Sequence, residues 1–141
     1  MSMIHRYIEA DYQDKMMEEL RKRGARVVSF VGNRYLAGEP DIEVTSTKGA
    51  IIKVEFKLWR KANVPTRDDI VDLLEGPQVN VVKNQLWGRN APLLMVAGFS
   101  ECQGKSAIVN KKEICFDLDQ NICNMLAYAP FGTYPYSNKV P

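Results

Sequence analysis

Three ionisable side chains interrupt an otherwise apolar stretch in the first half of the chain. Asp41 follows Pro40, and Glu55 and Lys57 fall near the end of the run Ile51–Lys57. Two short runs rich in β-branched residues, Ile42–Thr45 and Ile51–Lys57, are joined by the polar turn Ser46-Thr47-Lys48-Gly49. This pattern predicts a β-hairpin, with Gly49 supplying the backbone freedom of the turn. Residues two apart in a strand share a face, so Glu55 and Lys57 project together while Val54 and Phe56 point the other way. Antiparallel pairing about the turn then brings Asp41 beside Glu55 and Lys57. Two carboxylates crowded at one sheet end repel each other, and a bound cation relieves that repulsion. The cluster is therefore a candidate metal site.

Its chemistry is specific. Hard divalent cations such as Mg2+ take carboxylate and carbonyl oxygens and keep several waters. Asp41, Glu55 and the main-chain carbonyl of Phe56 are the oxygens such an ion would use, with Mn2+ expected to substitute. Lys57 would orient or deprotonate the attacking water, or neutralise charge on the pentavalent phosphate. Hydrolysis of a phosphodiester calls for these parts together: a metal, a nucleophilic water and positive charge near the non-bridging oxygens. The competing reading is a hairpin edge that carries solvated charges, since Pro-Asp followed by Glu-x-Lys is a loose pattern.

Pro40-Asp41 with Glu55-Phe56-Lys57 resembles the PD-(D/E)xK signature of restriction enzymes, Holliday junction resolvases and repair nucleases. Glu9-Ala10-Asp11-Tyr12-Gln13, Gly24, Ala37-Gly38 and Gly76-Pro77-Gln78 narrow the resemblance to small phage and bacterial proteins of the virus-type replication–repair nuclease (VRR-NUC) group. It covers about Ile4 to Gly98. The resemblance implies a restriction-endonuclease-like α/β core with a central mixed sheet. It also implies a helix-borne Glu (E-x-x-x-Q) before the signature, matched by Glu9, and a Gln opening the next helix, matched by Gln78, with Gln85 the weaker claimant. Small relatives work as dimers on branched DNA.

The elements that must position these residues follow from periodicity. A first helix is expected from His5 to Arg23, with Tyr12, Met16, Met17 and Leu20 on one stripe and Gly24 ending it. Glu9 and Gln13, four apart, share a face. Glu9 can thus stand over the hairpin end as an outer metal ligand or as the anchor of a nearby water. Glu18 and Glu19 are its rivals. Arg21, Lys22, Arg23 and Arg26 either complement the helix dipole or touch a DNA backbone. Arg26–Val31 is the first strand, and the loop from Gly32 to Gly38 presents Arg34 and Tyr35 to phosphate or sugar.

After the hairpin, Lys53, Arg60 and Lys61 form the locally basic segment beside the site, suited to a nucleic-acid backbone. Thr66 with Asp69 forms a capping box that opens a helix through Leu74. Gly76-Pro77 breaks it, and a second helix runs from Gln78 to Trp87. Pro92–Gly98 is a continuous apolar run suited to a central strand. Ser106–Val109 and Glu113–Phe116 form a further hairpin, and Asp119–Ala127 a short helix. Ala129–Pro141, with its prolines and aromatics, forms no regular element. The sheet is expected to hold four or five strands.

Length and composition bound the rest. The 141 residues suit a single domain (core about 4–98, C-terminal extension 99–141), 45 % hydrophobic and 26 % charged, as in ordinary globular proteins. A net charge of +2 means that any nucleic-acid surface is local. Cys102, Cys115 and Cys123 lack paired spacing and read as reduced thiols of a cytoplasmic protein. The acidic N-terminal stretch does not read as a signal peptide, and no apolar run reaches the length of a membrane span. His5, the single histidine, is expected at the surface.

Together these features point to a Mg2+-dependent endonuclease acting on branched DNA. Asp41 and Glu55 would ligate metal, Lys57 would serve the water, and Glu9 and Gln78 would support. The extension is expected to help form a homodimer from about Lys112 onward. The alternatives are a nucleic-acid-binding or assembly protein that keeps the fold without cutting, and a structural phage-type protein.

Overall fold

The computed structural model describes residues 2–30, 37–100 and 104–132, and the side chains of the first helix from Glu9 onward. Arg34, Tyr35, Cys102, Tyr134, Tyr136 and the His5 side chain lie outside what is described.

Helix α1 (Ser2–Lys22) buries Tyr12, Met16, Met17 and Leu20, the stripe read from the sequence. It stops at Gly24, whose φ of +90° suits glycine. The expected hairpin forms with β2 (Ile42–Thr45) and β3 (Ile51–Trp59), in the register Ile42↔Val54 to Thr45↔Ile51. β3 runs two residues beyond Lys57, because Leu58 and Trp59 are both buried. β1 (Arg26–Ser29) pairs antiparallel with β2. β4 (Leu93–Phe99) pairs parallel with β3, and its residues are almost all buried. β5 (Lys105–Val109) and β6 (Ile114–Leu118) complete a sheet of six strands, ordered as in the chain, instead of the four or five expected.

The parallel β3–β4 pair needs a crossover, and helices supply it. Thr66 and Asp69 make the reciprocal capping box at the start of α2 (Arg67–Val71). α2 ends three residues short of Leu74, where tighter i→i+3 bonds replace its last turn. α3 (Pro77–Val79) opens on Pro77 and continues through a π-helical stretch, Asn80–Leu86, and one 3₁₀ turn, Trp87–Arg89. α4 is Asp119–Ala127, as expected.

Side-chain alternation along β4 divides the core between two faces. Leu94 and Val96 join Phe56, Ile52 and the buried residues of α1 and α4. Leu93, Met95 and Ala97 join Trp59, Ile70, Val82 and Trp87 beneath α2 and α3. The segment after Gly98 is therefore part of the main fold: β5 and β6 extend the sheet, and Ile122, Cys123, Leu126 and Ala127 lie in the α1 core. The chain after α4 clasps the β2–β3 turn, where the Ser46 hydroxyl donates to the Ala129 carbonyl at 2.7 Å and Thr47 N–H donates to the Ala127 carbonyl at 2.8 Å. Cys123 is buried and Cys115 partly so, and both are free thiols. Among the described residues, no helix is long and apolar enough to cross a membrane.

Candidate active site

Asp41 stands just before β2, one position beyond the Ile42↔Val54 pair, and two bonds hold it there. Its carbonyl accepts from Phe30 N–H at 2.8 Å, and its carboxylate Oδ2 accepts from Phe56 N–H at 2.8 Å. In an extended strand, the N–H and C=O of one residue leave by the same edge. The Phe56 carbonyl therefore turns to the β2 side as well, at a level where β2 has not yet begun.

Glu55 is almost fully buried, at 1 % exposure. Its Oε2 accepts from Gln78 Nε2 at 2.9 Å and lies 3.4 Å from Lys57 Nζ. Lys57 in turn donates to Gln78 Oε1 at 3.0 Å. Gln78 thus bridges acid and ammonium, giving a hydrogen to one and taking a hydrogen from the other. The other carboxylate oxygen, Glu55 Oε1, is buried without a hydrogen-bond partner. A buried oxygen in that state costs about 1–3 kcal/mol.

The electrostatics follow from burial. Desolvation raises the Asp41 carboxyl above its ordinary range. The Phe56 N–H and the Lys57 charge pull it down, and Glu9 adds a further upward push. Glu55 rises to about 8, first from burial and then from the Asp41 charge, with Lys57 and the Asp41 backbone N–H opposing both. Both carboxyls are thus harder to ionise than in water, a common condition at functional sites.

Glu9 stands at the rim. Its Oε2 lies 2.9 Å from Arg60 Nη2, with the two side chains 28 % and 38 % exposed, so α1 is tied to the end of β3. Among the described residues no three or more His, Cys, Asp or Glu side chains gather as a ready metal cage. The structure thus brings Asp41, Glu55, Lys57 and Gln78 together and leaves Glu9 engaged elsewhere. Gln85 is exposed and makes no described bond to the cluster. Of the expected DNA contacts, Lys53 pairs with Glu39 at 3.6 Å, Lys61 sits 5.4 Å over the Trp59 ring, and Arg34 lies outside the described residues. The basic end of α1 is spent within the chain. Arg23 bonds Asn124 Oδ1 at 2.6 Å, Arg21 bonds the Val27 carbonyl, and Lys22 pairs with Glu18 and Glu19.

One participant escaped the sequence reading, and another had its part left unread. Glu39, next to Pro40, neutralises Lys53. Gly38, at φ +86°, lies so close to α3 that a Cβ there would stand 2.8 Å from the Pro77 carbonyl carbon and oxygen. That contact sets the loop carrying Asp41 against the helix start carrying Gln78. The Ala37-Gly38 match to the family pattern marked this glycine, but not its contact with α3. A groove of about 530 Å³ lined by Arg67, Lys83, Trp87 and Lys111, among others, includes none of the acid cluster.

The donor set suits a small hard cation. It offers two carboxylates, one with an oxygen lacking any partner, and a main-chain carbonyl turned the same way. No family model matches this chain, and no curated protein matches it.

Proposed function

We propose that this protein is a Mg2+-dependent endodeoxyribonuclease of the PD-(D/E)xK type, related to the VRR-NUC group and acting on branched DNA. The observation that carries the reading is the buried Glu55 carboxylate, with Oε1 lacking a hydrogen-bond partner, Oε2 3.4 Å from Lys57 Nζ, and the Asp41 charge acting on it. Asp41, Glu55 and the Phe56 carbonyl would hold the cation, with Glu9 in support. Bound there, Mg2+ would stabilise charge on the phosphate and make a water more acidic.

The chain's own groups do the rest. An ammonium has three donors. Glu55 and Gln78 face Lys57 from two sides, which leaves one hydrogen for a phosphate oxygen at the mouth of the site. Gln78 keeps the ammonium aimed, because its amide oxygen accepts from Lys57 while its amide nitrogen is anchored on Glu55. Positive charge held in a partly buried site stabilises the pentavalent phosphate more than it would in water. A homodimer would hold two such sites in fixed relation and so cut both strands of a branched or duplex substrate.

The test is nicking of supercoiled plasmid and of a four-way junction in Mg2+, Mn2+ and EDTA. Metal-dependent cutting that Asp41→Asn abolishes supports the reading; no cutting of any DNA with either metal counts against it. A second reading, a nucleic-acid-binding module that keeps the fold without cutting, draws on the engagement of Glu9 by Arg60 and the lack of a third converging acid among the described residues. Unchanged DNA binding in EDTA, with no cleavage in either metal, would favour it.

A further inference from the structure

We propose that Arg60 is a shared cation, neutralising Glu9 in the metal-free protein and passing to a substrate phosphate when Glu9 turns to the metal. Metal and DNA would then bind cooperatively through this one side chain. The inference rests on the nuclease reading above and adds a positioning residue to it.

Three features of the site carry it. The first is the contact itself, 2.9 Å between groups 51 positions apart, made by side chains that both remain partly exposed to solvent. The second is location. Arg60 stands three residues beyond Lys57 at the end of β3, about 10 Å along the strand. Glu9 is close enough for its charge to act on Asp41. The third is charge. Before the metal enters, Glu9 Oε2 lies 2.9 Å from the Arg60 guanidinium. A divalent ion that drew Glu9 away would leave the guanidinium without that carboxylate, and a phosphodiester is an anion that could replace it. Afterwards Glu9 has a stronger partner, and the planar guanidinium is suited to the two oxygens of a phosphate.

The experiment uses the full chain, with Mg2+ and a four-way junction oligonucleotide as probes and calorimetry and fluorescence anisotropy as readouts. All DNA measurements are made on proteins that also carry Lys57→Ala, so that the strand stays whole. Without DNA, Arg60→Ala should bind Mg2+ roughly five-fold more tightly, because Glu9 no longer has to leave a partner. In Arg60-intact protein, the junction should tighten Mg2+ binding by roughly five-fold or more, and Arg60→Ala should bring that factor close to one. Glu9→Gln should tighten junction binding in EDTA, and the gain should vanish when Arg60→Ala is added. A purely structural pair would move none of these couplings. If the alanine variant does not fold, Arg60→Gln serves in its place. Metal binding with an unchanged DNA coupling in the Arg60 variant overturns the shared cation alone. Failure of the unaltered protein to bind Mg2+ at all overturns both this inference and the nuclease reading.

Discussion

Glu55→Gln tests the electrostatics of the site most directly, because it removes a charge and keeps the shape. In the unfolded chain this carboxyl ionises near pH 4.5, and in the folded protein burial and Asp41 raise it to about 8. The folded state therefore holds a proton that the unfolded state has lost throughout that window. A group raised in this way makes stability fall as pH rises. Each pH unit is worth about 1.4 kcal/mol, so the loss is about 3 kcal/mol by pH 7 and about 5 kcal/mol once Glu55 is ionised in both states. The amide of the variant never ionises and escapes this loss. It carries a separate, pH-independent cost of about 1–3 kcal/mol, since its nitrogen would take the position of Oε1, where no partner exists. The assay is denaturant unfolding in EDTA from pH 5 to pH 9, for both proteins. The variant should gain on the wild type by about 4 kcal/mol across that range, and Asp41, present in both, largely subtracts. Saturating Mg2+ should flatten the wild-type profile and leave the variant's unchanged. A gap that stays constant with pH would refute this account of Glu55.

Lys57→Ala should leave folding and junction binding nearly intact and lower the cleavage rate by two orders of magnitude or more, measured in single turnover. Cutting at the wild-type rate would remove Lys57 from the site. Asp41→Asn should abolish Mg2+ binding in calorimetry while leaving the fold unaltered by circular dichroism. Gly38→Ala should cost about 2 kcal/mol, from its φ of +86° and its contact with Pro77, and should reduce cleavage further than the stability loss explains, because Gln78 moves with the helix start. For the homodimer, sedimentation should give a mass near twice 16.0 kDa, and Phe131→Ser with Tyr128→Ser should shift it toward monomer. A wild-type monomer at micromolar concentration would refute the assembly and leave the active site standing. Deleting Ala129–Pro141 is the blunter variant, because Ala129 is buried and its carbonyl holds Ser46.

The inner part of the site was legible because it depends on short-range rules. Strand alternation places Glu55 and Lys57 on one face, and counting back through the turn places Asp41 opposite Glu55. Gln78 was a different case. It lies 21 residues beyond Lys57, and only the family resemblance drew attention to it. Its bridging geometry depends on how the crossover returns to the sheet, and no local pattern records that. The Glu9–Arg60 pair was hidden for the same reason: two surface charges on separate elements carry no mark of each other. The strand end at Trp59 was missed because the charge at Lys57 looked like a boundary, although the buried Leu58 and Trp59 continue the strand.

The C-terminal third shows how an element can be legible while its place in the fold is not. Helix Asp119–Ala127 and the hairpin before it follow from periodicity and turn residues, and both occur where expected. Their attachment does not follow, since a hairpin reads the same whether it extends the main sheet or stands apart. Here β5 pairs with β4 through Met95↔Val109 to Gly98↔Ser106, and the Tyr12 hydroxyl meets Ser106 Oγ at 2.6 Å across the core. The ring of Tyr12 lies against Gly98, where a Cβ would come within 2.6 Å of it. By sequence that glycine reads as the last residue of a nuclease core. Its lack of a side chain instead lets α1 approach the sheet where β5 joins it, so the helix bearing Glu9 is held partly by the extension. Apolar surface assigned to a partner subunit is in large part consumed within the chain, and Phe116, Leu118, Tyr128 and Phe131 remain exposed. Any dimer contact made by the described part of the extension must be built from that smaller set, beginning at the β6 edge.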